Sequence, residues 1–270
     1  MPEVSKDGSP IYFESHGEGF PLILIRGLGS NADHWYSQVP DFSRYYRVIV
    51  FDNRGIGRSG DPGGPFSIRD MADDVVFLMD ALQIGQGHVL GLSMGGMIAQ
   101  EIALQCPVRV KGLVLVVTHC GGKHQVRAAD EVTETLRRMV VENTSEARTR
   151  AMEVFFSPRT IQEEPQVIQE YAAVSMKYPA GADILQRQWD AVGNHDACDR
   201  LEQLKARTLV LTGAGDVLIP PANSTMLAGR IPDAELLVVP DGAHHVMIEQ
   251  PAACNRAILE FLQRVDEAAP

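Results

Sequence analysis

The chain has 270 residues, 45% hydrophobic and 22% charged, which suits one large domain or a core domain with an insertion and excludes a disordered or repeat protein. Lysine and arginine total 24 against 35 acids, a formal charge of −11 with no basic block, so neither nucleic acid nor an anionic membrane is an expected partner. No run approaches the roughly 18 apolar residues of a membrane span, and Met1-Pro2-Glu3-Val4-Ser5-Lys6-Asp7 lacks the basic-then-apolar pattern of a secretory signal, so a cytoplasmic protein is expected.

In chain order, two extended stretches ending at Ile11-Tyr12-Phe13 read as an antiparallel hairpin at a sheet edge. Six apolar runs follow: Leu22 to Ile25, Val48 to Phe51, His88 to Leu90, Leu113 to Val117, Leu209 to Leu211 and Leu236 to Val239. Such runs, alternating with helix-length segments, predict an α/β fold whose mostly parallel strands are buried on both sides. Ser67 is placed to cap a helix carrying Met71, Val75, Leu78 and Leu82 on one face, with Asp70 and Asp73 near its start.

From about His119 to Arg200 the alternation stops. Four amphipathic stripes take its place: Val132, Leu136, Met139 and Val140; Ala147, Ala151, Val154 and Phe155; Val167, Tyr171 and Val174; Leu185, Trp189 and Val192. The predicted organisation is a core formed by residues 1–118 and 201–270, with a helical cap over 119–200 lying on the carboxyl edge of the sheet. Cys106, Cys120, Cys198 and Cys254 include no Cys-x-x-Cys pair and are expected as free buried thiols.

Gly91-Leu92-Ser93-Met94-Gly95 lies where the run ending at Leu90 gives way to a helical pattern. A serine on a strained strand-to-helix turn needs small neighbours on both sides, which makes Ser93 a candidate nucleophile. Its partners are expected later in the chain, acid before histidine. Asp216 follows Leu209 to Leu211, and the pair His244-His245 follows the last strand, both in loops at strand carboxyl ends where open sheets bind ligands. Either imidazole of the pair serves as base on this reading. No third ligand stands at metal-site spacing, so no metal is expected. Gly55-Ile56-Gly57-Arg58-Ser59-Gly60 imitates a dinucleotide fingerprint, yet Asp61-Pro62-Gly63-Gly64-Pro65 blocks the helix that fingerprint requires. No cofactor is expected.

These motifs resemble those of the α/β-hydrolases, in particular the group of small esterases, 3-oxoadipate enol-lactonase-like enzymes and perhydrolases that carry a helical cap. The resemblance covers nearly the whole chain. It rests on Arg26-Gly27-Leu28-Gly29 as oxyanion loop, Asp52-Asn53-Arg54-Gly55-Ile56-Gly57-Arg58-Ser59, the pentapeptide around Ser93, and His244 followed by Glu249 and Pro251. It implies an eight-stranded, mostly parallel sheet with helices on both faces, and a triad of Ser93, Asp216 and His244, selecting His244 over His245. The amides of Leu28 and Met94 then form the oxyanion hole. One departure is Arg26, where many members have histidine; it either pairs with a substrate carboxylate or anchors its loop against a nearby acid, and the anchor is the expectation.

The implied activity is serine-dependent hydrolysis of an ester or lactone of a small, largely apolar acyl group through an acyl-enzyme. Met139, Phe155, Tyr171, Met176 and Trp189 are the candidates for lining the pocket beneath the cap. The same triad serves carbon–carbon bond hydrolases and cofactor-free perhydrolases, and a signalling receptor with a slow retained triad is the alternative of another class. A small molecule is the expected partner; oligomeric state is not legible.

Overall fold

Successive residues of a strand point to opposite sides of its sheet, and a strand covered on both sides therefore reads as an unbroken apolar run. In the computed structural model, which describes residues 2–268, the hairpin β1 (Glu3–Lys6) and β2 (Ser9–His16) adds antiparallel to β4 (Arg47–Phe51). β3 (Pro21–Ile25), β4, β5 (Gly87–Leu92), β6 (Val110–Val116), β7 (Arg207–Gly213) and β8 (Glu235–Val239) are mutually parallel. The eight strands form one sheet in the order β1-β2-β4-β3-β5-β6-β7-β8.

The two-residue period divides the core. Ile23, Ile25, Leu113 and Leu115 pack with α1 (Ile68–Ala81) and α2 (Met94–Gln105) on one side. Leu22, Leu24, Val114 and Val116 pack with Trp35, Phe42, Ile258 and Phe261 on the other, the last two from α9 (Pro251–Glu267). Each large apolar side chain so enclosed contributes about 1.5–3 kcal/mol of burial. As expected, Ser67 caps α1: its hydroxyl accepts from the Asp70 amide while the Asp70 carboxylate accepts from the Ser67 amide, at 3.2 and 2.7 Å.

β8 departs from the expected burial on both sides. It is an edge strand, and Leu236 and Val238 are 40% and 43% exposed because no helix among the described residues packs fully over that face. The segment after β6 folds into five helices rather than four: α3 (Asp130–Glu142), α4 (Ser145–Phe155), α5 (Pro158–Glu163), α6 (Pro165–Lys177) and α7 (Ala182–Gly193). The additional α5 is one short stretch with Pro158 in its first turn and the Ser157 hydroxyl capping the Thr160 amide, too brief to show an apolar stripe. α8 (Ala222–Arg230) follows β7.

The ends of this helical segment meet. Gly121 bridges Asp196, and the Ala197 amide donates to the Cys120 carbonyl at 2.8 Å. Cys120 and Cys198 are joined as a disulfide across that neck, 78 residues apart in sequence, which corrects the expectation of four free thiols; Cys106 and Cys254 are free. Scattered spacing concealed the pair because only the insertion's return brings position 198 beside position 120. No helix among the described residues is long and apolar enough to cross a membrane.

Candidate active site

Ser93 sits between the end of β5 and the first turn of α2 with φ 56° and ψ −121°, a conformation that costs a side-chain-bearing residue about 1–3 kcal/mol. Close packing enforces the turn. A Cβ on Gly91 would lie 2.1 Å from the Gly95 carbonyl oxygen, and one on Gly95 would lie 2.1 Å from that of Ile25. The Ser93 amide donates to the Val116 carbonyl (2.9 Å), and the Thr118 hydroxyl donates to the Ser93 carbonyl (2.7 Å), tying the strained residue to the end of β6.

The structure brings Ser93, His244 and Asp216 into one hydrogen-bonded chain. His244 Nε2 lies 3.1 Å from Ser93 Oγ, and His244 Nδ1 lies 2.9 Å from Asp216 Oδ2. The other Asp216 oxygen accepts from the Leu218 and Ile219 amides at 2.9 and 2.8 Å, which fixes the carboxylate in the loop after β7. Because a carboxylate only accepts, the Nδ1 proton belongs on the side of Asp216, leaving the Nε2 lone pair facing the hydroxyl. An imidazole held this way can take a proton from Ser93 Oγ.

His245 occupies a different environment. Its amide donates to the Phe155 carbonyl (2.9 Å), and its ring packs against Phe155, Phe156 and Tyr171 with centroids 4.9, 4.9 and 4.4 Å away. Complete burial, with His244 and Arg26 nearby, holds its pKa well below the usual histidine range. The Glu249 carboxylate accepts from the Ala243 amide (2.7 Å) on one oxygen and from the Ser157 amide and Thr160 hydroxyl (2.6 and 2.8 Å) on the other. One buried acid thus fastens the histidine loop to the start of α5.

Leu28 and Met94 both line the same cavity as Ser93. Met94 opens α2, so its amide belongs to the first turn, whose N–H groups have no partner inside the helix. Gly27 faces Ser93, since a Cβ there would meet Ser93 Cβ at 3.1 Å. Two supports hold this loop: the Gly29 amide donates to Gln188 Oε1 of α7 (2.8 Å), and Asn53 Nδ2 donates to the Arg26 carbonyl (3.1 Å). The glycine-rich segment after β4 does not open a helix. It wraps around buried Asp52, which accepts from the Ala32 and Arg58 amides (2.7 and 2.8 Å) and from Arg58 Nε (2.7 Å).

A cavity of about 570 Å3 lies between helices α3, α4, α6 and α7 and the sheet's carboxyl edge. Arg26, Met139, Phe155, Tyr171, Met176 and Trp189 all line it together with Ser93 and His244. The expected anchor for Arg26 is absent: among the described residues no carboxylate pairs with its guanidinium, whose surroundings are aromatic, with Trp35 stacked at 4.8 Å. No group of three or more metal-ligating side chains occurs among the described residues.

A model of the α/β-hydrolase fold matches residues 21–251. The chain belongs to the α/β-hydrolase family. It is 32% identical over 268 residues to a protein of Azorhizobium caulinodans that carries the name carbamate hydrolase RutD, covering 99% of this chain and all of the relative. Its structure is similar to that of an enol-lactonase from Burkholderia xenovorans, with a TM-score of 0.87 at 25% identity over 97% of this chain and 100% of the other. It is also similar to a thermophilic esterase from Thermogutta terrifontis, with a TM-score of 0.85 at 28% identity over 98% and 99%.

Within this α/β-hydrolase, three side chains at the site escaped the sequence reading. His119 stands at the carboxyl end of β6 and lines the cavity; its Nδ1 accepts from the Gly121 amide (3.0 Å), and burial pushes its pKa down to about 3. Its place just after a strand was the available signal. Gln188 precedes Trp189 on α7, where polarity inside an apolar stripe marked it. His34, whose Nε2 lies 2.9 Å from the Ser175 hydroxyl of α6, had no motif around it.

Proposed function

We propose that this α/β-hydrolase cleaves a carboxylic ester or lactone of a small substrate through an acyl-enzyme. The observation that carries the reading is the 3.1 Å contact between His244 Nε2 and Ser93 Oγ, with Asp216 on the far nitrogen. His244 takes the hydroxyl proton as Oγ bonds to the substrate carbonyl carbon; the carbonyl electron pair moves onto oxygen, which the Leu28 and Met94 amides stabilise. As the tetrahedral species collapses, the bond to the leaving alcohol breaks and His244 returns the proton to it. Water then attacks the acyl group by the same route, releasing the acid and restoring Ser93. Asp216 holds the imidazole tautomer and stabilises its cationic form. A cavity of about 570 Å3 suits one small substrate.

Carbamate hydrolysis is the second reading, favoured by 32% identity over essentially the full chain to a relative named for it. A panel of 4-nitrophenyl esters, lactones, alkyl carbamates and vinylogous diketones, with peroxide-dependent halogenation as a further arm, separates these chemistries. Highest kcat/KM on esters or lactones is the expected result. Turnover confined to carbamates, diketones or peroxide would overturn it, and turnover of a few per hour on every substrate with strong ligand-induced stabilisation would indicate a receptor.

A further inference from the structure

Arg26 is 1% exposed, and none of its three guanidinium nitrogens has a hydrogen-bond partner among the described residues. A buried cation without a counter-charge is expensive, and mutation toward an apolar side chain ordinarily removes that cost. The fold nevertheless holds Arg26 at the base of the oxyanion loop, on the wall of the cavity that contains Ser93. Neighbouring polar atoms are also unpartnered: the Tyr36 hydroxyl and both ring nitrogens of His245, one a donor and one an acceptor in the neutral ring. Burial, only partly offset by the phenols of Tyr171 and Tyr36, draws the guanidinium pKa below its ordinary value.

The charge of the cavity points the same way. Its walls include Arg26, Arg127 and Arg148 and, among the described residues, no aspartate or glutamate, although the chain as a whole carries −11. A low-dielectric cleft lined by one sign of charge concentrates ligands of the other sign. Arginine offers a planar pair of N–H donors matched to the two oxygens of a carboxylate.

We propose that Arg26 is a specificity-determining residue that receives a free carboxylate of the substrate, so that the preferred substrates are esters or lactones bearing a second, ionised carboxyl group. This rests on the reading of Ser93 as nucleophile and names the class of molecule its cavity selects. Tyr171, carried on cap helix α6 and itself lining the cavity, lies beside the guanidinium, so rotation of that side chain or a small shift of α6 admits the carboxylate. Trp35 keeps the opposite face occupied. The carboxylate then takes the place that a structural acid holds beside most buried arginines.

The test compares mono-4-nitrophenyl adipate with 4-nitrophenyl hexanoate, which matches it in length and lacks the charge. The wild-type protein is expected to prefer the adipate ester by about 10²-fold in kcat/KM, the scale of one buried charge pair. Arg26→Met should erase that preference by losing about 10²-fold more on the adipate ester than on the hexanoate, and Arg26→Lys should restore part of it. Free adipate should raise the melting temperature of the wild-type protein and leave that of Arg26→Met unchanged.

Equal loss on both esters, or a wild-type protein that favours hexanoate and is not stabilised by adipate, would overturn the proposal. The wild-type comparison decides even where the methionine variant does not fold. If Ser93→Ala kept both activities, the parent reading would fail; cleavage that depends on Ser93 without charge preference would defeat only the role of Arg26.

Discussion

Ser93→Ala and His244→Ala proteins are expected to lose about 10⁴- to 10⁶-fold in kcat on the best ester of the panel, and the double variant little more than either alone. The lack of additivity follows from geometry. Oγ is a poor nucleophile until His244 Nε2, 3.1 Å away, accepts its proton, and the imidazole has no acyl group to act on without Oγ. Asp216→Asn should fall by a comparable order, about 10⁴, because an amide can donate toward Nδ1 and stabilise the wrong tautomer. KM should change far less than kcat in all of these, since the cavity walls are untouched. Steady-state kinetics with the purified variants check this, and losses below ten-fold would contradict it.

Stability is expected to collapse on mild acidification. Five of the six buried histidines, His34, His88, His119, His195 and His245, have a lowered pKa with burial as its leading cause. His34 and His119 are drawn to about 3, His88 and His195 to about 4. For His88, at 3.2 Å from Asp266, and His195, at 3.7 Å from Glu101, the nearby carboxylate pulls the other way and burial prevails. In the unfolded chain these rings take up protons as the pH falls through about 6.5, whereas the folded chain keeps them neutral. The folded state then binds fewer protons, so this contribution is complete above about pH 6.5 and is lost as pH falls toward the folded values, at about 1.4 kcal/mol per pH unit for each ring.

Five rings together give a slope of about 7 kcal/mol per unit, set against a total stability of about 5–15 kcal/mol for an ordinary domain. Unfolding is therefore expected between about pH 6 and 4, above the range where Glu101 and Asp266, whose pKa values are lowered, lose their charge. Urea midpoints at pH 7.5, 6.5 and 5.5 measure the effect: little change over the first interval and a steep fall over the second. A flat midpoint down to pH 5 would contradict it.

The sheet was legible because strands buried on both sides leave unbroken apolar runs, and α1 because Ser67 and Asp70 mark its start. The Ser93 pentapeptide, Asp216 and His244 were legible because each stands at a strand's carboxyl end, where backbone geometry leaves few choices of residue. What depended on tertiary contact was not. Nothing local to Cys120 announces Cys198, and the apolar letters of β8 are the same whether or not a helix covers Leu236 and Val238. Glu249 carried a family spacing, but its grip on Ser157 and Thr160 of the cap spans about ninety residues, with separations of 92 and 89. Arg26 was read toward an acid because buried arginines usually have one; the aromatic shell of Trp35 and Tyr171 that replaces it is assembled from two distant segments.

The central claim is that the hydroxyl of Ser93 becomes covalently acylated with His244 as its base. Brief incubation with a fluorophosphonate, followed by intact-mass and peptide mass spectrometry, measures this directly. A single adduct is expected on the peptide containing Ser93, absent from Ser93→Ala and greatly slowed in His244→Ala. Labelling at another residue, or ester turnover that continues undiminished with Ser93 fully blocked, would contradict it.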